Sequence, residues 1–163
     1  MGKNVEKCQK ITKKREMFYG SYTYSIDPKN RLSIPVKFRR NLNPESGDTF
    51  MMTRGIQQCV YVYPKDLWEK DVEPRIKNLD EFDTQQSSFM CLLLEYANED
   101  VLDSQSRLLI PKALTDFAGI EKDVFILGVR NHLELWNPQV YQQFKASITK
   151  SYAEIAAEVM KKE

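Results

Sequence analysis

The chain is short of the residues on which most catalytic and metal chemistry rests: among 163 residues there are one histidine, three cysteines and six glycines. The single histidine, His132, falls in a predicted hairpin turn with no cysteine or carboxylate partner suggested by spacing, so a surface or turn role is expected. Cys8, Cys59 and Cys91 stand 51 and 32 residues apart, which fits neither a disulfide framework nor C-x-x-C zinc spacing. They read as reduced thiols, Cys59 and Cys91 as small buried hydrophobes inside apolar runs and Cys8 in a tail. The glycines form neither a G-x-G-x-x-G nor a Walker pattern. The acidic run from Asp66 to Asp83 lacks EF-hand spacing and reads as a solvated linker face. No catalytic residue, metal ligand, cofactor or small-molecule substrate is therefore expected, and the chain does not read as an enzyme. No apolar run approaches the roughly 20 residues needed to cross a bilayer. The N-terminal segment, residues 1–18, carries the charge of a secretion signal without the apolar stretch behind it. A cytoplasmic protein without a membrane partner is expected.

What remains is ordinary in bulk and uneven in detail. At 42% apolar and 29% charged residues the composition is that of a soluble globular chain, and the length suits one domain. The net charge of +1 conceals a gradient. Residues 1–54 carry 12 basic and 5 acidic groups, residues 55–100 carry 4 and 10, and residues 101–163 carry 8 and 8. A basic N-terminal third in a neutral protein suggests a polyanionic partner.

The chain also contains one unit written twice. Asp27-Pro28-Lys29-Asn30-Arg31-Leu32-Ser33-Ile34-Pro35 matches Asp103-Ser104-Gln105-Ser106-Arg107-Leu108-Leu109-Ile110-Pro111 at an offset of 76, with five identities in nine positions. Each copy continues into a short amphipathic stretch and then two apolar runs around a polar turn. These read as β-hairpins, Phe50–Thr53 with Cys59–Tyr63 and Val124–Val129 with Leu133–Trp136. The alternation in Tyr22-Thr23-Tyr24-Ser25 predicts the strand that enters the first motif. Pro35 and Pro111 suit first helical positions, so short helices are expected over Pro35–Leu42 and Pro111–Phe117, the second stopped by Gly119. Asn137-Pro138 predicts a further helix start, with Val140, Phe144 and Ile148 facing the core. Between the copies, Asp66–Arg75 reads as a helix interrupted by Pro74, and Thr84–Asn98 as a helix with Phe89, Leu92, Leu93 and Tyr96 on one face. Half units of about 45 residues are too small to fold alone, so one shared pseudo-twofold core is expected.

The two D-x-x-x-R segments are the best functional candidates. Asp27 and Asp103 suit turn-stabilising roles, accepting backbone N–H bonds and pairing with the arginine four residues on, which would hold the bend with no ligand at all. The functional alternative presents Arg31 and Arg107, with Lys29 and Asn30 beside the first, to phosphates and guanine edges, for which the planar arginine fork is suited. Lys37, Arg39 and Arg40 follow on the next helix, either as part of the same basic surface or as a solvated helix face.

These residues, together with Met17-Phe18-Tyr19-Gly20, Thr53-Arg54-Gly55, Tyr63-Pro64 with Trp68, and Leu135-Trp136-Asn137-Pro138, resemble the MraZ family from about Met17 to Phe144. The resemblance implies an α+β fold of two tandem swapped-hairpin AbrB-like half units sharing one pseudo-twofold core. It divides the chain into a basic extension (1–16), a first repeat (17–68), a helical connector (69–98), a second repeat (99–145) and a C-terminal helix or tail (146–163). It further implies a nucleoid-associated transcriptional regulator of the division and cell wall gene cluster that binds double-stranded promoter repeats as a ring-like homo-oligomer. On that reading Lys29, Asn30, Arg31, Lys37, Arg39, Arg40 and Arg107 contact DNA. The alternative is a structural or protein-binding oligomer without DNA readout. Family motifs read D-x-K-G-R and D-x-x-G-R, whereas this chain has Asn30 and Ser106 at the glycine positions. Asn tolerates left-handed backbone well and Ser less so, which predicts a differently bent second turn. Gln105 replaces the motif lysine in the second copy, which points to the N-terminal copy as the main reader.

Overall fold

The computed structural model describes residues 17–161, so the expectations for the basic extension and Cys8 lie outside the described residues. The first copy runs β1 (Ser21–Ser25), β2 (Arg31–Ser33), α1 (Val36–Arg39), a 3-10 turn (Pro44–Ser46), β3 (Thr49–Arg54) and β4 (Val60–Pro64). A helical stretch follows, α2 (Lys65–Leu67), a π-helical segment (Trp68–Val72) and α3 (Glu73–Lys77), and then α4 (Thr84–Glu95). The second copy repeats the plan with β5 (Asn98–Val101), β6 (Arg107–Leu109), α5 (Lys112–Ala118), β7 (Asp123–Val129) and β8 (His132–Trp136), followed by α6 (Pro138–Ser147) and α7 (Tyr152–Val159).

The copies are paired crosswise. Six strands form one antiparallel sheet in the order β1-β7-β8-β4-β3-β5, and β2 and β6 form a separate two-stranded ribbon. Thus β1 of the first copy lies against the hairpin of the second, Ser21 opposite Leu127 and Ser25 opposite Asp123. Reciprocally, β5 lies against the hairpin of the first, Thr49 opposite Val101. On the pseudo-twofold itself Leu32 faces Leu108 in the ribbon, and Tyr61 faces Glu134 where β4 meets β8. The core repeats in the same way. Leu32 and Leu108, Ile34 and Ile110, and Phe38 and Leu114 occupy equivalent places and are all at most 2% exposed. Phe50, Met52, Val60 and Val62 of one hairpin meet Val124, Ile126, Leu133 and Leu135 of the other in one continuous cluster. Each such side chain contributes roughly 1.5–3 kcal/mol by leaving water, and both copies supply them to the one cluster.

Met17-Phe18-Tyr19-Gly20 closes one edge. Phe18 is buried edge-on against Phe38, and its backbone exchanges hydrogen bonds with Arg130. Gly128 makes that crossing possible, since a Cβ there would lie 2.6 Å from the backbone nitrogen of Tyr19. Gly119 stops α5 with a φ of 68°, and Asn137 caps α6 by accepting from the amides of Gln139 and Val140, as predicted.

Several expectations are corrected. Pro35 and Pro111 precede their helices as cap residues with ψ near 139° and 138°, one position earlier than predicted, and α1 ends at Arg39. Pro74 does not interrupt its helix: the preceding turn widens to π-helical spacing, and the Glu73 amide bonds to the Trp68 carbonyl. That spacing absorbs the donor missing from proline and makes room for its ring. Ile148 leaves α6 in extended conformation. The inward face is carried by Tyr141 and Phe144, stacked on Phe125 and Trp136 respectively. In α4 the predicted apolar face is only partly covered, with Phe89 43% and Leu92 49% exposed. Cys91, on the same helix, is exposed and not buried, while Cys59 is buried as expected. Burial raises the Cys59 thiol well above the usual range, and the Glu134 carboxylate adds to the shift.

Candidate nucleic-acid interface

The ribbon fixes which side chains face out. Because strand side chains alternate, burying Leu32 and Leu108 turns Arg31, Ser33, Arg107 and Leu109 to the opposite face. The antiparallel register sets Arg31 across from Leu109 and Arg107 across from Ser33, so the two arginines stand near one another on a single outer surface. Arg107 reaches within 3.8 Å of the Asp27 carboxylate of the other copy.

Each arginine is held by its own turn, and the two turns match bond for bond. Asp27 Oδ1 accepts the backbone amides of Lys29 at 2.9 Å and Arg31 at 2.8 Å, while its Oδ2 accepts Arg31 Nε at 2.6 Å. Asp103 Oδ1 accepts the amides of Gln105 at 2.9 Å and Arg107 at 3.0 Å, and its Oδ2 accepts Arg107 Nε at 2.9 Å. In both, hydrogen bonding from the arginine backbone amide is the chief cause that lowers the aspartate pKa below its usual value. Asn30 and Ser106 are left-handed, with φ of 61° and 58°. The second turn is therefore not bent differently, contrary to the expectation drawn from serine. Each aspartate accepts two amides of its own turn and grips one edge of an arginine fork. The arginine side chains stay 32% and 24% exposed.

The other candidates divide by position. Lys29 is exposed at the tip of the first turn, and Lys37 and Arg40 are exposed on or just after α1. Lys37 Nζ sits 4.0 Å above the Tyr19 ring. Asn30 and Arg39 are instead engaged within the fold. Asn30 Nδ2 donates to the Ile110 carbonyl at 3.2 Å and to Thr115 Oγ1 at 2.9 Å. Arg39 donates from Nε to the Ile34 carbonyl at 3.0 Å and from Nη1 to Ser106 Oγ at 3.1 Å.

His132 is the clearest departure from the sequence expectation. It opens β8, is 9% exposed, and stacks on Tyr63 with ring centres 4.9 Å apart. Its Nε2 lies 3.2 Å from Glu134 Oε2, and the same carboxylate accepts Trp136 Nε1 at 2.9 Å. Glu134 is thus the hub of a half-buried polar cluster on the sheet face away from the core. Burial raises Tyr63 to about 12. The strand alternation His132-Leu133-Glu134-Leu135-Trp136 carries the signal that places these three side chains on one face.

A family profile described as "MraZ protein, putative antitoxin-like" matches residues 17–88 and again 93–162. The chain belongs to the MraZ family. It is 36% identical over 144 residues to the transcriptional regulator MraZ of Natranaerobius thermophilus, covering 88% of this chain and 97% of the relative. The transcriptional regulators MraZ of Caldanaerobacter subterraneus subsp. tengcongensis and Alkaliphilus metalliredigens are each 38% identical over 140 residues, covering 86% of this chain and 94% of theirs. Two matches of the MraZ profile in tandem coincide with the two structural copies that build the sheet. Among the described residues no helix is long and apolar enough to cross a membrane.

Proposed function

We propose that this MraZ-family protein is a cytoplasmic, nucleoid-associated regulator that binds double-stranded DNA through the outer surface of the β2/β6 ribbon. The single observation that carries the reading is the juxtaposition of Arg31 and Arg107 on one exposed face, each oriented through Nε by an aspartate fixed in its own turn. A fork so held has lost much of its rotamer freedom before contact, which favours bidentate recognition of guanine or phosphate. Lys29, Lys37 and Arg40 add phosphate contacts around it, while Asn30 and Arg39 act from within the turns.

The crosswise strand pairing supports half units of the swapped-hairpin AbrB type, bounded near 17–68 and 99–145, with a connector between them and a tail after. One ribbon spans only a few phosphates, so useful affinity requires several copies on successive promoter repeats. A ring of subunits acting on the division and cell wall gene cluster would supply that. Support for self-association comes from apolar surface left uncovered on α4 and α7, where Leu94 is 47%, Tyr152 89% and Val159 74% exposed. An open cavity of about 340 Å³ beside α4, bordered by Ile56 and Phe89, adds to it, since patches of this kind mark interaction sites.

Light scattering with and without a promoter fragment tests the assembly, and salt-dependent DNA retention tests the readout. Retention that falls steeply with salt and an oligomeric mass are expected. The completeness of the Asp–Arg pairing favours one other reading, a structural oligomer in which the turns only hold the fold. An oligomer that ignores DNA would establish it.

A further inference from the structure

The left-handed residue of each turn is tied to the helix of the other copy, and the two ties are chemically different but equivalent in place. At the offset of 76 that relates the motifs, Asn30 corresponds to Ser106, Ile110 to Ile34, and Thr115 to Arg39. In one tie the turn residue is long and the helix residue short: the Asn30 amide spans to the Ile110 carbonyl at 3.2 Å and the Thr115 hydroxyl at 2.9 Å. In the other the turn residue is short and the helix residue long: the Arg39 guanidinium spans to the Ile34 carbonyl at 3.0 Å and the Ser106 hydroxyl at 3.1 Å. The carbonyl satisfied is the same one in both copies. Thr115 is 3% exposed, and glycine would be the least costly residue at a φ near 60°, so neither Asn30 nor Ser106 is there for backbone freedom.

We propose that Asn30/Thr115 and Arg39/Ser106 are matched clamps, and that Arg39 is a positioning residue for the second turn and not a DNA contact. Each clamp locks a left-handed turn against the opposite copy and so sets where the following arginine stands, Arg31 in one case and Arg107 in the other. Because the clamps cross the pseudo-twofold, the placement of each arginine depends on a helix of the other repeat. A charge count of α1 alone would assign Arg39 to the basic surface. Its two bonds assign it to the scaffold.

The effect on DNA rests on the binding function proposed above, so the test has two arms. Four variants are compared with wild type by thermal melting and by DNA affinity at several salt concentrations: Arg39→Thr, Arg39→Lys, Ser106→Asn, and the double variant Arg39→Thr/Ser106→Asn. The double variant writes the Asn30/Thr115 pair into the second turn. Arg39→Thr strips the Ile34 carbonyl of a donor and is expected to lower the melting temperature by about 2–6 °C and DNA affinity by about tenfold. Arg39→Lys keeps the charge but not the two-pronged reach, and is expected to behave like Arg39→Thr. Ser106→Asn alone crowds the guanidinium and is expected to be no more stable than wild type. The double variant, despite one cation fewer, is expected to regain both wild-type melting and wild-type affinity.

A phosphate contact by Arg39 would give the opposite pattern: Arg39→Lys binding normally, and the double variant staying weak with a salt slope flatter by about 0.9. That result overturns the positioning role. Additive melting effects with no rescue in the double variant overturn the clamp itself. If the wild-type protein ignores DNA, the binding proposal fails, and the melting cycle still decides whether the pairs are coupled.

Discussion

The two copies share a frame and differ in what they mount on it. In the first, the turn and helix carry Lys29, Lys37, Arg39 and Arg40; the equivalent places in the second hold Gln105, Ala113, Thr115 and Asp116. From 27 to 54 the first copy has six basic and three acidic residues, while from 103 to 130 the second has four and four. Even Lys112, the cation on α5, is taken up by Asp116 at 3.0 Å. The hydrogen bonds of the turns, the facing leucines and the cross-paired strands are nonetheless common to both. Duplication here keeps geometry symmetric and lets charge diverge, because the core tolerates little change and the surface a great deal.

Cutting the chain between the profile matches should have the largest effect. Residues 17–88 alone lose the partner of β1, and residues 93–162 alone lose that of β5. Each piece also loses half of a core whose sheet draws three strands from each copy. Neither fragment is expected to melt cooperatively as a soluble monomer in calorimetry. If either one does, the copies are separable domains and their equivalence is mere similarity.

Next in size is Arg31→Ala. Losing a bidentate guanine contact costs about 1–3 kcal/mol per contact, and multiplied over the subunits of an assembly this should abolish operator binding in a mobility-shift assay while circular dichroism stays native. Arg107→Ala should leave measurable binding. Unaltered affinity in a folded Arg31→Ala protein would reduce both motifs to turn hardware.

Much of this comparison is legible in the sequence, because a match of five residues over nine positions marks two strands, two turns and their chemistry at once. Aspartate, arginine and the intervening left-handed residue are local features, and local rules suffice for them. What the sequence does not disclose is which copy pairs with which, since β1 would pair equally well by pattern with either hairpin. It also hides the fate of Arg39 and Asn30: both are polar residues in basic company, and only the crossing of the copies brings them to Ser106 and Thr115. His132 reads as a turn residue from its neighbours and becomes buried because Tyr61, Tyr63 and Trp68 cover its face of the sheet. Pro74 reads as a break because the spacing of helical hydrogen bonds is not written in residue type.

Salt dependence tests whether the two copies contribute unequally to the proposed DNA binding. Each phosphate neutralised contributes about −0.9 to the slope of log affinity against log salt. Lys29→Gln should flatten the slope by up to that amount, and the converse change, Gln105→Lys, should steepen it by a similar amount if the second turn lies equally close to the backbone. Fluorescence anisotropy on one operator fragment from low to moderate salt measures both. A null result for Gln105→Lys with a clear one for Lys29→Gln would place the second turn away from the phosphates, as its neutral charge suggests.

The smallest expected difference lies in acid stability. Asp27 and Asp103 both have pKa values lowered below 3.8, chiefly by the backbone amides of Arg31 and Arg107. A carboxylate whose folded pKa is depressed stabilises the protein fully above its unfolded value and loses that contribution as pH falls through the folded one. The turns should therefore hold unchanged from neutral pH down to about 4, and loosen only below it. Replacing either aspartate by asparagine keeps an Oδ1 acceptor for the two backbone amides and removes the charge, so each substitution should flatten the fall of melting temperature below that pH. Both groups are open to solvent, which keeps the effect modest. Asp27 faces Arg107 at 3.8 Å in addition to Arg31, whereas Asp103 pairs with Arg107 at 2.9 Å. Asp27→Asn should consequently flatten the acid limb somewhat more than Asp103→Asn. Equal limbs would mean that the cross-copy approach of Arg107 adds nothing and that the turns are electrostatically as symmetric as their hydrogen bonds.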